Sequence, residues 1–169
     1  MNDQKLSESE RAKLEGWTAL NLGNHEQALA NFDVALKAQE LTYGAESPEF
    51  AEMLTEIGSA LLLLGSQYSG KAEQLILRAL MIQDHTCGRA SVECVNLLEQ
   101  LTMAYTLQEK YGPAVQSMRE AVDVWEALSL QGLSPEHADR EYILSRYEEL
   151  ANLQRLEDEQ KEKHSNGSK

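Results

Sequence analysis

The sequence predicts an all-α fold: an α-α solenoid of three helical hairpins followed by one long C-terminal helix. Three observations predict it. A small–large–small triplet recurs as Ala28, Phe32, Ala35, then Ala72, Ile76, Ala79, then Ala114, Met118, Ala121, at offsets of 44 and 42 residues. Recurrence at such a period is the mark of a helical repeat array. A helix-start phrase also recurs, as Ser47-Pro48-Glu49, Ser91-Val92-Glu93 and Ser134-Pro135-Glu136, at offsets of 44 and 43. In it Ser caps, Pro or Val opens the first turn, and Glu complements the helix dipole. Composition agrees: Ala, Leu, Glu and Gln are plentiful, while Val, Ile, Phe and Trp are scarce, which favours helix over strand.

Residues 1–6 are polar and expected to be disordered. Ser7-Glu8-Ser9-Glu10 fits a capping box, in which Ser7 accepts from a backbone amide and Glu10 reaches back. The helix it opens runs to about Leu22, with Leu14, Trp17, Ala19, Leu20 and Leu22 on a wide apolar side and Gly23 as its C-cap. Asn24, with Gln27 three residues on, is expected to cap the next helix, which ends near Leu41. Thr42-Tyr43-Gly44-Ala45-Glu46 reads as a loop. The helix from Pro48 buries Leu54, Ile57, Leu61 and Leu64, and Gly58 and Ala60 permit close approach. Gly65 ends it, 42 residues after Gly23.

Ser66 to Gly70 reads as a turn two residues longer than its counterpart, followed by a helix from Lys71 to Gln83 and a loop from Asp84 to Arg89. The third unit starts near Ser91 and uses Val95, Leu98, Leu101, Ala104 and Tyr105. Tyr111-Gly112-Pro113 is expected to turn into a helix from Ala114 to Leu128. The units are therefore 7–46, 47–90 and 91–133. A capping helix follows over 134–162, with an apolar stripe of Tyr142, Leu144, Tyr147, Leu150, Leu153 and Leu156 and a charged outer side. The tail 163–169 is expected to be disordered.

The formal charge of −13 argues against nucleic acid and anionic membrane, both of which are bound through Lys and Arg. Cys87 and Cys94 are too few for a disulfide framework and are read as small helix-start residues. MNDQKLSESERAK lacks the apolar core of a signal peptide, and the apolar run Ala60–Leu64 is too short to span a bilayer. A cytoplasmic location is expected.

These residues resemble the tetratricopeptide repeat (TPR) family. Gly16-x6-Gly23-x-His25-x2-Ala28-x3-Phe32-x2-Ala35 matches its pattern of small and aromatic positions. The spacing is longer than the usual ~34 residues and, with Tyr43-Gly44-Ala45-Glu46-Ser47-Pro48, resembles the kinesin-light-chain subtype. The resemblance covers about 9–130 and implies a right-handed superhelix whose first helices line a concave face. Departures are visible. Glu109 stands where glycine is frequent, and Thr55-Glu56 and Glu99-Gln100 replace the paired asparagines of kinesin-light-chain repeats. Lys13 matches one lysine of the clamp with which chaperone-binding relatives hold a C-terminal carboxylate. Trp17, Glu56 and Gln100 break the rest, so no clamp is expected.

By the family pattern the concave face carries Lys13, Trp17, Leu20 and Asn21 from the first unit. Glu52, Thr55, Ser59, Leu62 and Leu63 come from the second, and Asn96, Glu99, Met103, Thr106 and Leu107 from the third. Trp17, Leu62, Leu63, Met103 and Leu107 form an apolar stripe suited to an adaptable peptide groove, with packing under neighbouring helices as the alternative for each.

No phosphate loop, zinc-protease or nucleophile-elbow motif is present. His25, His85, His137 and His164 are dispersed. Glu148-Glu149 and Glu157-Asp158-Glu159 read as a solvated helix face. No catalytic residue, metal site or cofactor is expected. The expected function is a non-catalytic interaction module taking a protein or peptide partner with apolar anchors and basic residues. The alternatives are a small acidic chaperone or adaptor for a dedicated client, and a self-associating homo-oligomeric scaffold.

Overall fold

The computed structural model describes residues 7–132 and 140–166. Among them the chain forms seven helices and no strand: α1 (Glu8–Asn21), α2 (His25–Tyr43), α3 (Pro48–Leu63), α4 (Ser66–Cys87), α5 (Val92–Leu107), α6 (Tyr111–Leu130) and α7 (Arg140–Asn166). The helices pair as α1 with α2, α3 with α4 and α5 with α6. Successive pairs stack through α2 on α3 and α4 on α5, and α7 lies on α6.

Local chemistry explains the helix starts. Ser7 Oγ accepts from the Glu10 amide at 3.2 Å, and Glu10 Oε2 accepts from the Ser7 amide at 2.8 Å, completing the capping box. The Ser7 amide and hydroxyl, both donating to Glu10 Oε2 at 2.8 Å, hold the Glu10 carboxyl below its usual range. Ser47 and Ser91 accept from the Phe50 and Cys94 amides at 3.1 and 3.2 Å. Asn24 differs from expectation: it precedes α2 without a side-chain cap, and its amide instead returns to Ala19 O at 2.9 Å. With the Gly23 amide on Leu20 O, also at 2.9 Å, this is a Schellman end to α1. Gln27 donates to Asn31 Oδ1.

The third unit closes the same way without glycine. The Glu109 amide bonds Thr106 O and the Lys110 amide bonds Tyr105 O, while Glu109 takes a left-handed φ of 57°. A side chain is strained there, so the repeat geometry has overridden the residue's preference.

Helix pairs meet where the repeat places small residues. A Cβ on Gly16 would lie 2.5 Å from the Phe32 ring, and one on Gly58 would lie 2.7 Å from Ile76. Their counterpart in the third unit, Thr102, is 1% exposed, and its hydroxyl is satisfied by Leu98 O. Phe32, Ile76 and Met118 fill the facing positions and are fully buried. The equivalent positions Ser9, Ala51 and Val95, and Ala12, Leu54 and Leu98, are also all buried.

Several helices run further than expected. α2 continues through Thr42 and Tyr43, with the Thr42 hydroxyl on Ala38 O at 2.7 Å, until Gly44 turns at φ 95°. α4 takes in both Ser66–Gly70, expected as a turn, and Asp84–Cys87, expected as a loop. The sharp bend is made by Gly65 alone, at φ 98°, so the extra residues lengthen the helix instead of the turn. α6 begins at Tyr111, with Pro113 in its first turn, where no backbone donor is required. α7 runs past the expected end at 162 to Asn166, so disorder does not hold over 163–166. The expected cap at Ser134-Pro135-Glu136, the expected start at 134 and residues 1–6 and 167–169 lie outside the described residues.

Polar contacts join each unit to the next. Between first helices, Lys13 Nζ meets Glu56 Oε2 at 2.7 Å, the Ser59 hydroxyl meets Gln100 Oε1 at 2.8 Å, and the Tyr142 hydroxyl meets Glu99 at 2.6 and 2.8 Å. Between second helices run Lys71–Asp33 and Arg78–Glu40, at 2.9 and 2.7 Å. His25 and Tyr68 add a ring–hydroxyl contact at 3.2 Å.

Candidate functional site

A groove of about 1010 Å³ lies across the first helices of the three units. α1 contributes Lys13 and Trp17. α3 contributes the run from Pro48 through Glu52 and Thr55 to Ser59. The far wall is Gln83 of α4 with Glu93, Asn96 and Leu97 of α5. The volume is at the upper end for a ligand pocket, and the site is open-sided, as suits a chain segment.

Six of the expected concave residues meet here: Lys13, Trp17, Glu52, Thr55, Ser59 and Asn96. The others do not. Leu62 is 3% exposed and packs within the core. Leu20 and Leu107 are half-buried against that core. Thr106, also half-buried, donates to Thr102 O. Asn21, Leu63 and Met103 are exposed but outside the groove. The expected apolar stripe therefore does not form. Trp17 alone of its members lines the groove, joined by Pro48, Ala51 and Leu97.

Glu99 is committed elsewhere. It accepts from the Tyr142 hydroxyl and, at 3.4 Å, from the Trp125 indole N–H. Burial, and then the hydrogen bond to Glu99, push the Tyr142 hydroxyl up to about 12. Tyr142 also meets Trp125 edge-on at 5.7 Å and carries the Arg146 guanidinium at 5.0 Å from its ring. Glu99 is thus tied to the start of α7.

The groove's polar balance is one-sided. Lys13 is held by Glu56. The Thr55 hydroxyl donates to Ala51 O, and the Ser59 hydroxyl is directed at Thr55 O and Gln100 Oε1, all at 2.8 Å. The carboxylates of Glu49, Glu52 and Glu93 have no cationic partner among the described residues. Gln83 Oε1 is shut off from solvent and has no hydrogen-bond partner. The charged groups without a partner in the walls are therefore carboxylates.

Glu49, Glu93 and Gln83 were not among the expected site residues. The signal for the first two lay in the repeated start phrase, which places a glutamate at the same point of α3 and α5. Gln83 carried no such signal, being the expected end of a helix. Among the described residues, no three His, Cys, Asp or Glu could hold a metal ion, and no helix is long and apolar enough to cross a membrane. Cys94 is buried, which pushes its thiol up, and Cys87 is exposed.

No protein-family model and no curated protein matches the sequence. Among solved structures, the chain is similar to BtubC (BKLC) from P. vanneervenii, a kinesin-light-chain-like TPR protein, at a TM-score of 0.69 and 16% identity. The match covers 89% of this chain and 56% of BtubC, so the chain spans little more than half of that protein. Identity at this level speaks for the fold: the chain is an all-α, TPR-like helical repeat.

Proposed function

We propose that this chain is a non-catalytic protein-interaction module that takes a peptide or helical segment of a partner into the groove formed by α1, α3 and α5. The observation that carries this reading is the meeting of Lys13, Trp17, Glu52, Thr55, Ser59 and Asn96, from three separate units, in one open groove. Trp17 supplies an aromatic face for an apolar anchor, and the unpaired carboxylates favour a segment bearing basic residues. The similarity to a TPR protein adds the expectation that such a face is used for binding.

The test is affinity capture from the source lysate with three baits: wild type, Trp17→Ala/Glu52→Lys, and Leu63→Glu. Leu63 is 79% exposed and lies outside the groove, so it is the control. A partner lost with the groove variant and retained with Leu63→Glu is the expected result. Loss with Leu63→Glu alone overturns the groove assignment. Circular dichroism establishes that each bait is folded.

A second reading, self-association, draws on α7. Leu150 and Leu153 bury one side of it, while Leu144 and Tyr147 are 51% and 41% exposed on another. Sedimentation over a range of concentrations decides this reading: a constant monomer mass removes it.

A further inference from the structure

We propose that a notch between α4 and α6, floored by α5, is a docking site for a tyrosine side chain of a partner protein. The notch shares no residue with the groove and does not rest on the groove reading.

The notch comes from one change within the repeat. Ser117 precedes Met118 in α6, and its counterpart 42 residues earlier, preceding Ile76 in α4, is Leu75. Leu75 packs against the core. Serine at this position leaves the third unit one leucine short, and a cavity of about 180 Å³ lies there. The buried Leu80, Leu98 and Leu101 give it an apolar floor.

Ser117 is 8% exposed, and its hydroxyl has no hydrogen bond among the described residues. The hydroxyls of Thr55, Thr102 and Thr106 all bond the carbonyl four residues back. A buried hydroxyl without a partner carries a desolvation cost that an incoming polar atom removes. Tyr105 adds a second hydroxyl to the wall, also without a hydrogen bond among the described residues, and burial pushes it up. The exposed Gln116 amide brings donors and an acceptor to the rim. The charged groups cancel: Arg89 Nε donates to Glu120 at 2.6 Å, and Arg89 meets Asp84 at 3.6 Å.

These features choose the occupant. Pockets for free ligands hold about 300–1,000 Å³, so this one takes a single side chain whose backbone stays outside. A void of about 150 Å³ takes up benzene, so an aromatic ring fits. Paired charges leave nothing to compensate an ionised group, which excludes Lys, Asp, Glu and phosphotyrosine. A phenol both donates and accepts and can satisfy Ser117, whereas Phe or Leu would seal that hydroxyl in unsatisfied. The Arg89 guanidinium has no ring stacked on it among the described residues, while Arg78 stands 4.6 Å from the Phe50 ring in the unit before. An incoming ring supplies Arg89 with the same contact.

The test is an amide-resolved NMR titration of the whole chain with the peptide Ac-Ala-Ala-Tyr-Ala-Ala-NH2 and its Phe, Leu and phosphotyrosine counterparts. Tyr is expected to bind about threefold to tenfold more tightly than Phe, with Leu and phosphotyrosine weaker, and to shift the amides of residues 98–105 and 114–120. Ser117→Leu restores the leucine of the preceding unit, so it should melt no lower than wild type and lose the Tyr peptide. Ser117→Ala keeps the space and deletes the hydroxyl. It should bind the Phe peptide as wild type does and lose the preference for Tyr. Equal affinity for Tyr and Phe, a preference that survives Ser117→Ala, or tighter binding of phosphotyrosine overturns the site. So does the absence of shifts at these amides up to the solubility limit of the Tyr peptide, or shifts confined to Trp17 and Thr55. The same shifts on raising protein concentration alone would make the occupant a second copy of the chain and overturn the separate partner. None of these outcomes bears on the groove reading, which its own capture experiment tests.

Discussion

The two tryptophans of this chain sit in two regions of the array and are used in opposite ways. Each is met edge-on by an aromatic ring, Trp17 by Phe32 at 5.8 Å and Trp125 by Tyr142 at 5.7 Å. Trp17 remains half-buried in the groove wall, whereas Trp125 is 1% exposed and shares Glu99 with Tyr142. The contrast extends to one repeat position. Lys13, Thr55 and Glu99 are equivalent across the three units, yet the first two line the groove and the third is tied to the next helix. A concave residue lines the groove or makes a structural contact according to what the following helix places over it.

The largest expected effect breaks this comparison at its closed end. Trp125→Ala removes a fully buried ring and should cost about 3–5 kcal/mol. Trp17→Ala removes a half-buried one and should cost about 1–2 kcal/mol. Urea denaturation of the two variants measures both, and equal losses would erase the distinction.

A smaller effect comes from Tyr142→Phe, which forfeits the hydrogen bond to the Glu99 carboxylate, worth about 1–2 kcal/mol near neutral pH. Its pH dependence has a definite sign. In the unfolded chain the hydroxyl titrates near its ordinary value of about 10, but in the fold it is raised to about 12. The folded form therefore holds its proton more tightly. This contribution is fully present below about pH 10 and is lost as pH rises through about 12. The stability gap between wild type and Tyr142→Phe should shrink across that window. A gap that stays constant up to the alkaline limit would show that Tyr142 does not stabilise α7 through its proton.

The smallest effect sharpens the comparison from outside both regions. Glu109→Gly relieves the left-handed backbone at the turn of the third unit and should raise stability by about 0.5–1 kcal/mol, net of the flexibility glycine adds to the unfolded chain. Peptide affinity should be unchanged, since Glu109 is not a groove residue.

Much of the fold was legible because the same packing problem is solved three times. Gly16 and Gly58 had to be small for Phe32 and Ile76 to seat against them, and Ser7, Ser47 and Ser91 had to accept first-turn amides. These are local or pairwise demands, and they leave a mark at a fixed period. Helix ends were less legible. Asp84–Cys87 has loop-like chemistry but stays helical until Gly88 because the α4 backbone bonds continue, closing with the Gly88 amide on Asp84 O at 3.1 Å.

The lining of the candidate groove was half legible. Lys13, Trp17, Glu52, Thr55, Ser59 and Asn96 followed from position within the repeat. Leu62 and Glu99 misled because the repeat pattern says which way a residue faces within its own unit and is silent on what the next unit puts there.

By itself the sequence determined the all-α class, the repeat period, the starts of the serine-capped first helices and the small positions at which helices cross, because these depend on neighbours a few residues or one hairpin away. Only the tertiary structure decided which concave residues are free. That Glu99 is bound, that Leu62 is interior, and that Gln83 and Glu93 meet Glu52 across one cavity depend on how successive units stack. Stacking joins residues a whole repeat apart through contacts that no local pattern records.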